Sequence, residues 1–202
     1  MRRFLAVGLV ILGASVAAHA QATCTMTAAQ APVVSGLRLG MPRDEVLALF
    51  PGIRADREVS VDLAQPANSL GLSNLSIKPE KYASKAKFAG VSQITLQLLD
   101  GRISDLHVGY NGPEWKHVDD FLAKFLEGKK LPAIHAWEAY VGLDTQLKTL
   151  TCKGFEIKVF AGGKNVHNIN YVQVVDLEAK KKLKERRDKA KGGNFISKPW
   201  TM

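Results

Sequence analysis

Apolar and polar residues alternate along two neighbouring segments in the middle of the chain, and this alternation predicts a β-hairpin over 91–110. The apolar positions are Ile94, Leu96 and Leu98 on the first segment, and Leu106, Val108 and Tyr110 on the second. Asp100-Gly101 lies between them and is typical of a hairpin turn, because both residues tolerate positive φ. The hairpin is the best-defined element that the sequence predicts.

The register of this hairpin needs an offset of one residue. A plain two-residue loop would pair Leu96 with Asp105 and set a carboxylate opposite an apolar face, which costs free energy unless the charge is paired. An offset pairs Leu96 with Leu106 instead. Two arrangements provide it: a three-residue loop over 100–102, or a β-bulge at Ser104–Asp105.

Helical spacing of apolar residues predicts a helix over 42–50, with Pro42 at its first position, and a second helix over 115–127. Alternation predicts a short strand over 59–63, and residues 64–90 are interpreted as a loop with one short strand near 75–77. Further strands are predicted over 146–151, 155–160 and 166–175, the last two as a second hairpin. The segment 177–191 is interpreted as a strongly basic helix with a thin apolar stripe.

These elements predict an α+β fold. An antiparallel sheet of about five to six strands would be covered on one face by the two helices, with residues 21–35 as an extended arm. We expect the basic C-terminal helix to project from the domain, because its apolar stripe is too thin to drive docking. The predicted organisation is a signal peptide at 1–20, a single domain at 21–176, and the basic helix and tail at 177–202.

The first twenty residues have the layout of a secretory signal peptide. Arg2-Arg3 precede an apolar run over 4–12, and Ala18-His19-Ala20 is a small-residue cleavage site. The apolar run is too short to span a bilayer, so we expect no transmembrane segment after cleavage. The sequence therefore predicts export, to the periplasm or the medium.

Cys24 and Cys152 are the two cysteines of the chain. Export permits a disulfide, and two cysteines allow one pairing. The chain-entropy model assigns a bridge over so long a loop on the order of 4–5 kcal/mol. A reactive thiol would need a C-x-x-C motif or a basic niche, and neither flanking sequence supplies one.

The formal net charge of +9 falls to +7 when Arg2 and Arg3 leave with the signal peptide. In an exported protein this balance favours cell-wall polymers, lipid headgroups or an acidic protein as partners over nucleic acid. An ordinary solvated basic surface would give the same composition. The residues of the C-terminal helix that could contact an anionic surface are Lys180, Lys181, Lys182, Lys184, Arg186 and Arg187.

The standard motifs of catalysis and cofactor binding are absent from the sequence, including G-x-S-x-G, H-E-x-x-H, the P-loop and G-x-G-x-x-G. Asp105 and His107 share a strand face but are too few to make a metal site, so we favour a solvated sheet face for them. The weaker groupings are His117 with Asp119 and Asp120, and the aromatic residues Trp115, Trp137 and Tyr140. The first fits a solvated helix start, and the second could line a groove or fill the core. No catalytic residue, cofactor or metal is predicted.

The segment from Gly36 to Val46, Gly-Leu-Arg-Leu-Gly-Met-Pro-Arg-Asp-Glu-Val, resembles the lead-in common in small exported bacterial domains. Among these are outer-membrane assembly lipoproteins and β-lactamase-inhibitor-like modules, and the resemblance implies a helix pair against an antiparallel sheet. The segments 98–103 and 152–157 are similar to uncharacterised exported bacterial proteins.

Three functions remain open. The first hypothesis is an exported non-enzymatic protein that binds a macromolecular partner in the cell envelope. The second is an envelope-structural accessory whose basic C-terminal helix docks on anionic lipid or cell-wall polymer. A hydrolase of an unrecognised type ranks last.

Overall fold

The protein folds around one antiparallel sheet, seen here in a computed structural model that describes residues 24–113, 115–141, 145–162 and 170–192. The predicted signal peptide, the C-terminal tail and part of the strand predicted over 166–175 lie outside these residues. The helices are α1 (Arg43–Ala48), α2 (Arg57–Ala64), α3 (Val118–Leu126) and α4 (Leu177–Gly192). The strands are β1 (Leu72–Ile77), β2 (Val91–Leu99), β3 (Arg102–Tyr110), β4 (Glu138–Val141), β5 (Thr145–Thr151), β6 (Phe155–Gly162) and β7 (Asn170–Asp176).

Over the described residues, the sheet has seven strands in the order β1-β2-β3-β7-β6-β5-β4, and the pairings between them are antiparallel. The α+β class is confirmed, but the expected number of five to six strands is wrong. The strand β4 was missed because it has only four residues at the edge of the sheet. Each half of the chain builds a meander, and the last strands of the two halves, β3 and β7, pair at the centre.

The one-residue offset in the central hairpin is confirmed. Leu96 pairs with Leu106, and the register shifts between Gln97 and Leu98. The turn keeps two residues with positive φ, Asp100 and Gly101, so the bulge at Ser104 supplies the offset and the three-residue loop does not occur. Asp105 thereby points away from the core, which avoids burying its charge among apolar side chains.

The apolar face of the sheet, called the inner face here, packs against α1, α2 and α3 in one core. The helices predicted over 42–50 and 115–127 are confirmed in shorter form, since α1 begins after Pro42 and α3 begins at Val118. The strand predicted over 59–63 is wrong, because this segment lies within α2. Asp56 caps α2 by accepting hydrogen bonds from the backbone of Glu58 and Val59.

The disulfide between Cys24 and Cys152 is present, with the sulfur atoms 1.94 Å apart across 128 residues of sequence. It ties the N-terminal arm to the turn between β5 and β6. The amide of Gly154 donates to the carbonyl of Met26, and a Cβ at Gly154 would lie 2.2 Å from the backbone nitrogen of Ala28. The turn therefore needs glycine to receive the arm.

Candidate functional site

The sheet face opposite the core, called the outer face here, carries the side chains that alternation directs away from the inner face. The β-bulge keeps this alternation in phase, so Thr95, His107, Gln173 and Lys158 fall in one row across four strands. A neighbouring row contains Gln97, Asp105, Val175 and Glu156. The two rows at this part of the outer face are thus mainly polar. One end of the outer face is covered by α4, and the other end carries aromatic side chains.

The helix α4 lies over one end of the outer face, so the expectation that it projects from the domain is wrong. Leu183 is only 8% exposed and faces the sheet together with Ala179. The guanidinium of Arg186 forms two hydrogen bonds to the Asp100 carboxylate at 2.9 and 2.8 Å, and the Lys182 ammonium forms another at 2.8 Å. A short apolar contact and one ion-pair cluster thus hold the helix.

Asp100 is positioned by the turn of the central hairpin and by a neighbouring glycine. Gly71 has a positive φ, and a Cβ there would lie 2.4 Å from a carboxylate oxygen of Asp100 and 2.5 Å from the Arg186 guanidinium, so a larger residue would displace this pair. Hydrogen bonds from Arg186 and Lys182 hold the pKa of the Asp100 carboxyl well below its usual range. The turn that sets the hairpin also provides the anchor for α4.

Beneath α4 lies a cavity of about 250 Å³. Its polar walls include Asp105, Glu156 and Lys158, and apolar side chains of β1, β2 and β7 complete it. Both carboxylate oxygens of Asp105 accept hydrogen bonds from the side-chain amide of Gln173, with Nε2–oxygen distances of 3.1 and 2.9 Å. The Lys158 ammonium lies 3.1 Å from the Glu156 carboxylate. Asp105 and Gln173 are therefore joined by hydrogen bonds, and Glu156 and Lys158 form an ion pair.

Asp105 and His107 lie on the outer face, as the offset predicted, but both are half-buried and not fully solvated. Burial raises the pKa of Asp105 and lowers that of His107. The His107 ring packs 4.5 Å from the ring of Tyr171. Ser104, the nearest hydroxyl in sequence, donates to the carbonyl of Gln97. Among the described residues, Ser104, Asp105 and His107 form no hydrogen-bonded chain with one another, as a nucleophile and its base would.

No described helix covers the other end of the outer face, called the open end here. This end carries an aromatic row, defined as Tyr140, Leu147, Phe160 and Tyr171. The strand register places these side chains next to one another on β4, β5, β6 and β7. The rings of Phe160 and Tyr171 stack with centroids 4.8 Å apart, and Tyr140 is 65% exposed. The row reaches the edge strand β4, which is the last strand on that side of the sheet among the described residues.

The remaining candidates from the sequence do not come together. Trp137 is 3% exposed in the core, whereas Trp115 lies beside α3 and Tyr140 lies on the outer face. His117 occupies the N-cap position of α3, and Asp119 pairs with Lys148 at 3.1 Å. These contacts agree with the interpretation of that group as a solvated helix start.

The basic residues predicted to contact an anionic surface divide into two groups. Lys182 and Arg186 are paired with Asp100. In the described part of the chain, no carboxylate lies within 4 Å of the remaining four side chains. These four are Lys180, Lys181, Lys184 and Arg187. Lys180 and Arg187 border the cavity, whereas Lys181 and Lys184 are exposed and do not line it.

Sequence reasoning missed Asp100 as the anchor of α4, and it missed Tyr171 as a surface residue. Phe160 breaks the apolar alternation of its strand by standing on the same face as Glu156 and Lys158. This break was the one available signal for an outward-facing aromatic residue.

No family model matches the chain, and neither curated proteins nor solved structures gave a significant match. Within the described residues, no group of three or more His, Cys, Asp or Glu side chains could hold a metal ion. No described helix is both long and apolar enough to cross a membrane.

Proposed function

We propose that this chain is an exported, non-enzymatic protein that binds a macromolecular partner through the open end of its outer face. The observation that carries the proposal is the aromatic row. Aromatic side chains are enriched at the centres of protein interfaces, where they supply most of the binding free energy. Tyr140 is 65% exposed and the other three side chains of the row are partly exposed, so the row offers an apolar surface to a partner.

The surroundings of the row favour a protein as the partner. The adjacent positions on the outer face carry Glu138, Thr149 and Lys158, so the rim is polar and mixed in charge. A mixed polar rim around an apolar centre is typical of protein interfaces, whereas a polyanion would select a uniformly basic surface. The predicted signal peptide and the disulfide support an exported location for this interaction.

Site-specific photo-crosslinking in cells that express the full-length protein tests the proposal. A benzophenone amino acid at Tyr140 should give a discrete crosslinked adduct. The same group at Val61 serves as control, because Val61 is 54% exposed on α2, which packs on the inner side of the sheet. We expect Phe160→Ala to weaken the adduct at 140 by at least about ten-fold, as for an interface hot spot. The same adduct at both positions, or none at Tyr140, would overturn the proposal.

A second candidate function is docking on an anionic surface through α4, and it is favoured by the exposure of Lys181 and Lys184. Co-sedimentation with vesicles of anionic lipid, against neutral lipid, measures it. Binding should fall when Lys181 and Lys184 are both replaced by Gln. It should persist when Lys182, which is already paired with Asp100, is replaced instead. Equal losses in the two variants would argue against a binding surface made by Lys181 and Lys184.

A further inference from the structure

An aromatic groove lies on the inner side of the fold, apart from the outer face and from α4. It is defined by Tyr110, Trp115, Phe121, Lys124, Phe125 and Lys129, and its volume is about 250 Å³. The Phe121 ring lies 5.7 Å from the rings of both Tyr110 and Trp115. Phe121 and Phe125 are one helical turn apart on α3, so both line the same side of the groove.

The groove has one charged end. The Lys129 ammonium lies 4.6 Å from the centroid of the Phe125 ring and is half-buried. Burial lowers the pKa of Lys129, because desolvation disfavours the charged form of the amine. Lys124 pairs with Glu127 at 2.7 Å, but no carboxylate of the described residues lies within 4 Å of the Lys129 ammonium. A half-buried ammonium of this kind gains from an anion placed beside it.

The size of the groove limits what can occupy it. An apolar protein cavity of about 150 Å³ holds one benzene molecule. The volume of the present groove exceeds that value by somewhat more than half. This volume suits a ligand whose apolar part is a pair of fused rings or a short acyl chain. Its walls are predominantly aromatic, so the body must be apolar, and one polar group must reach Lys129.

We propose that the aromatic groove binds a small amphiphilic carboxylate, with its apolar body against Trp115 and Phe121 and its carboxylate against Lys129. The complementary parts are already in place: aromatic walls for the body and, at one end, the Lys129 ammonium for the anion. This site is independent of the proposed partner surface, because the groove involves α3 and the end of β3 and not the outer face.

Isothermal titration calorimetry of the full-length mature protein tests this proposal with 2-naphthoate as the probe and 2-naphthamide as its uncharged analogue. We expect 2-naphthoate to bind at least about ten-fold more tightly than 2-naphthamide, because a hydrogen bond to a charged group outweighs a neutral one. Lys129→Met keeps the apolar stem and removes the charge, so it should reduce the affinity for naphthoate to that for naphthamide.

The matched control is Lys130→Met, because Lys130 is the exposed neighbour of Lys129 and does not line the groove. This variant should bind naphthoate as the unmodified protein does. Thermal unfolding of both variants shows that each is folded. Absence of binding by naphthoate, equal affinity for the two probes, or equal losses in the two lysine variants would each overturn the proposal. The comparison of the two probes needs no variant, so it decides the matter even if Lys129→Met does not fold.

Discussion

Truncation of Leu183 should detach α4 from the sheet without unfolding the domain. Leu183 is the only described side chain of α4 that is buried. Leu183→Ala removes three carbon atoms at about 0.8 kcal/mol each, which gives about 2 kcal/mol. No further cost for a new void is added, because Leu183 already borders an open cavity. The equilibrium between docked and detached α4 should therefore shift about thirty-fold.

The ion pairs of α4 do not replace this apolar contact. The side chains of Asp100 and Lys182 are about half exposed, so salt and water screen their attraction. A detached helix of this length and composition is marginally stable in water, so its backbone hydrogen bonds should open more often. The core on the inner face contains no residue of α4, so the free energy of unfolding of the domain should change little.

Hydrogen–deuterium exchange followed by mass spectrometry measures this effect directly. Peptides covering 177–192 should exchange about thirty-fold faster in Leu183→Ala, while peptides from β2 and β3 keep their protection. Lys181→Ala is the matched control on the outward side of the same helix, and it should leave exchange unchanged. The reasoning is refuted if α4 keeps its protection in Leu183→Ala, or if the strands of the sheet lose theirs.

Replacing both Cys24 and Cys152 by Ser should lower the free energy of unfolding by about 5 kcal/mol, because the bridge closes a loop of 128 residues. Urea denaturation followed by tryptophan fluorescence measures this free energy. A loss below about 1 kcal/mol would contradict the loop-entropy explanation. Since the Asp100 pKa is depressed, its contribution to docking is complete above the ordinary carboxyl pKa and disappears as the pH falls through the depressed value. Exchange of the α4 peptides should accordingly be protected alike at pH 7 and pH 5, with protection lost only in strong acid, and Asp100→Asn should remove this acid transition. Gly154→Ala should release the N-terminal arm, because the added Cβ would overlap the backbone of Ala28. We expect faster hydrogen exchange at residues 24–31 and unchanged exchange in the sheet. Unaltered exchange at residues 24–31 would show that the arm can shift to make room.

The parts of the fold that the sequence predicts well are those fixed by local alternation and by the cost of burying charge. The offset of the central hairpin followed from one carboxylate, Asp105, whose burial opposite Leu96 would be unfavourable. The α2 segment was mistaken for a strand because Val59, Val61 and Leu63 alternate and include β-branched residues. Asp56, a strong N-cap residue, was the signal that favoured a helix there.

The anchoring of α4 could not be predicted from local pattern. Asp100 and Arg186 are 86 residues apart in sequence and meet only when the sheet brings the hairpin turn under the helix. The positive φ of Asp100 already explains why an Asp occurs in this turn. Nothing in the local sequence therefore indicates that the same residue also anchors α4. Among the candidate-site residues, the face on which His107 lies was predictable from the two-residue period of a strand. The row containing Phe160 and Tyr140 was not, because it depends on which strands are neighbours in the sheet.

The two ends of the outer face should act independently, and this separates the proposed partner surface from the C-terminal helix. The α4 contacts lie at the end near Asp100, whereas Phe160 and Tyr140 lie at the open end beyond the row of His107. Effects of substitutions that share no contact usually add. Leu183→Ala should therefore leave crosslinking from position 140 unchanged, and its combination with Phe160→Ala should lose no more adduct than Phe160→Ala alone. If Leu183→Ala instead increases the adduct, α4 competes with the partner for the outer face, and the partner surface extends beneath the helix.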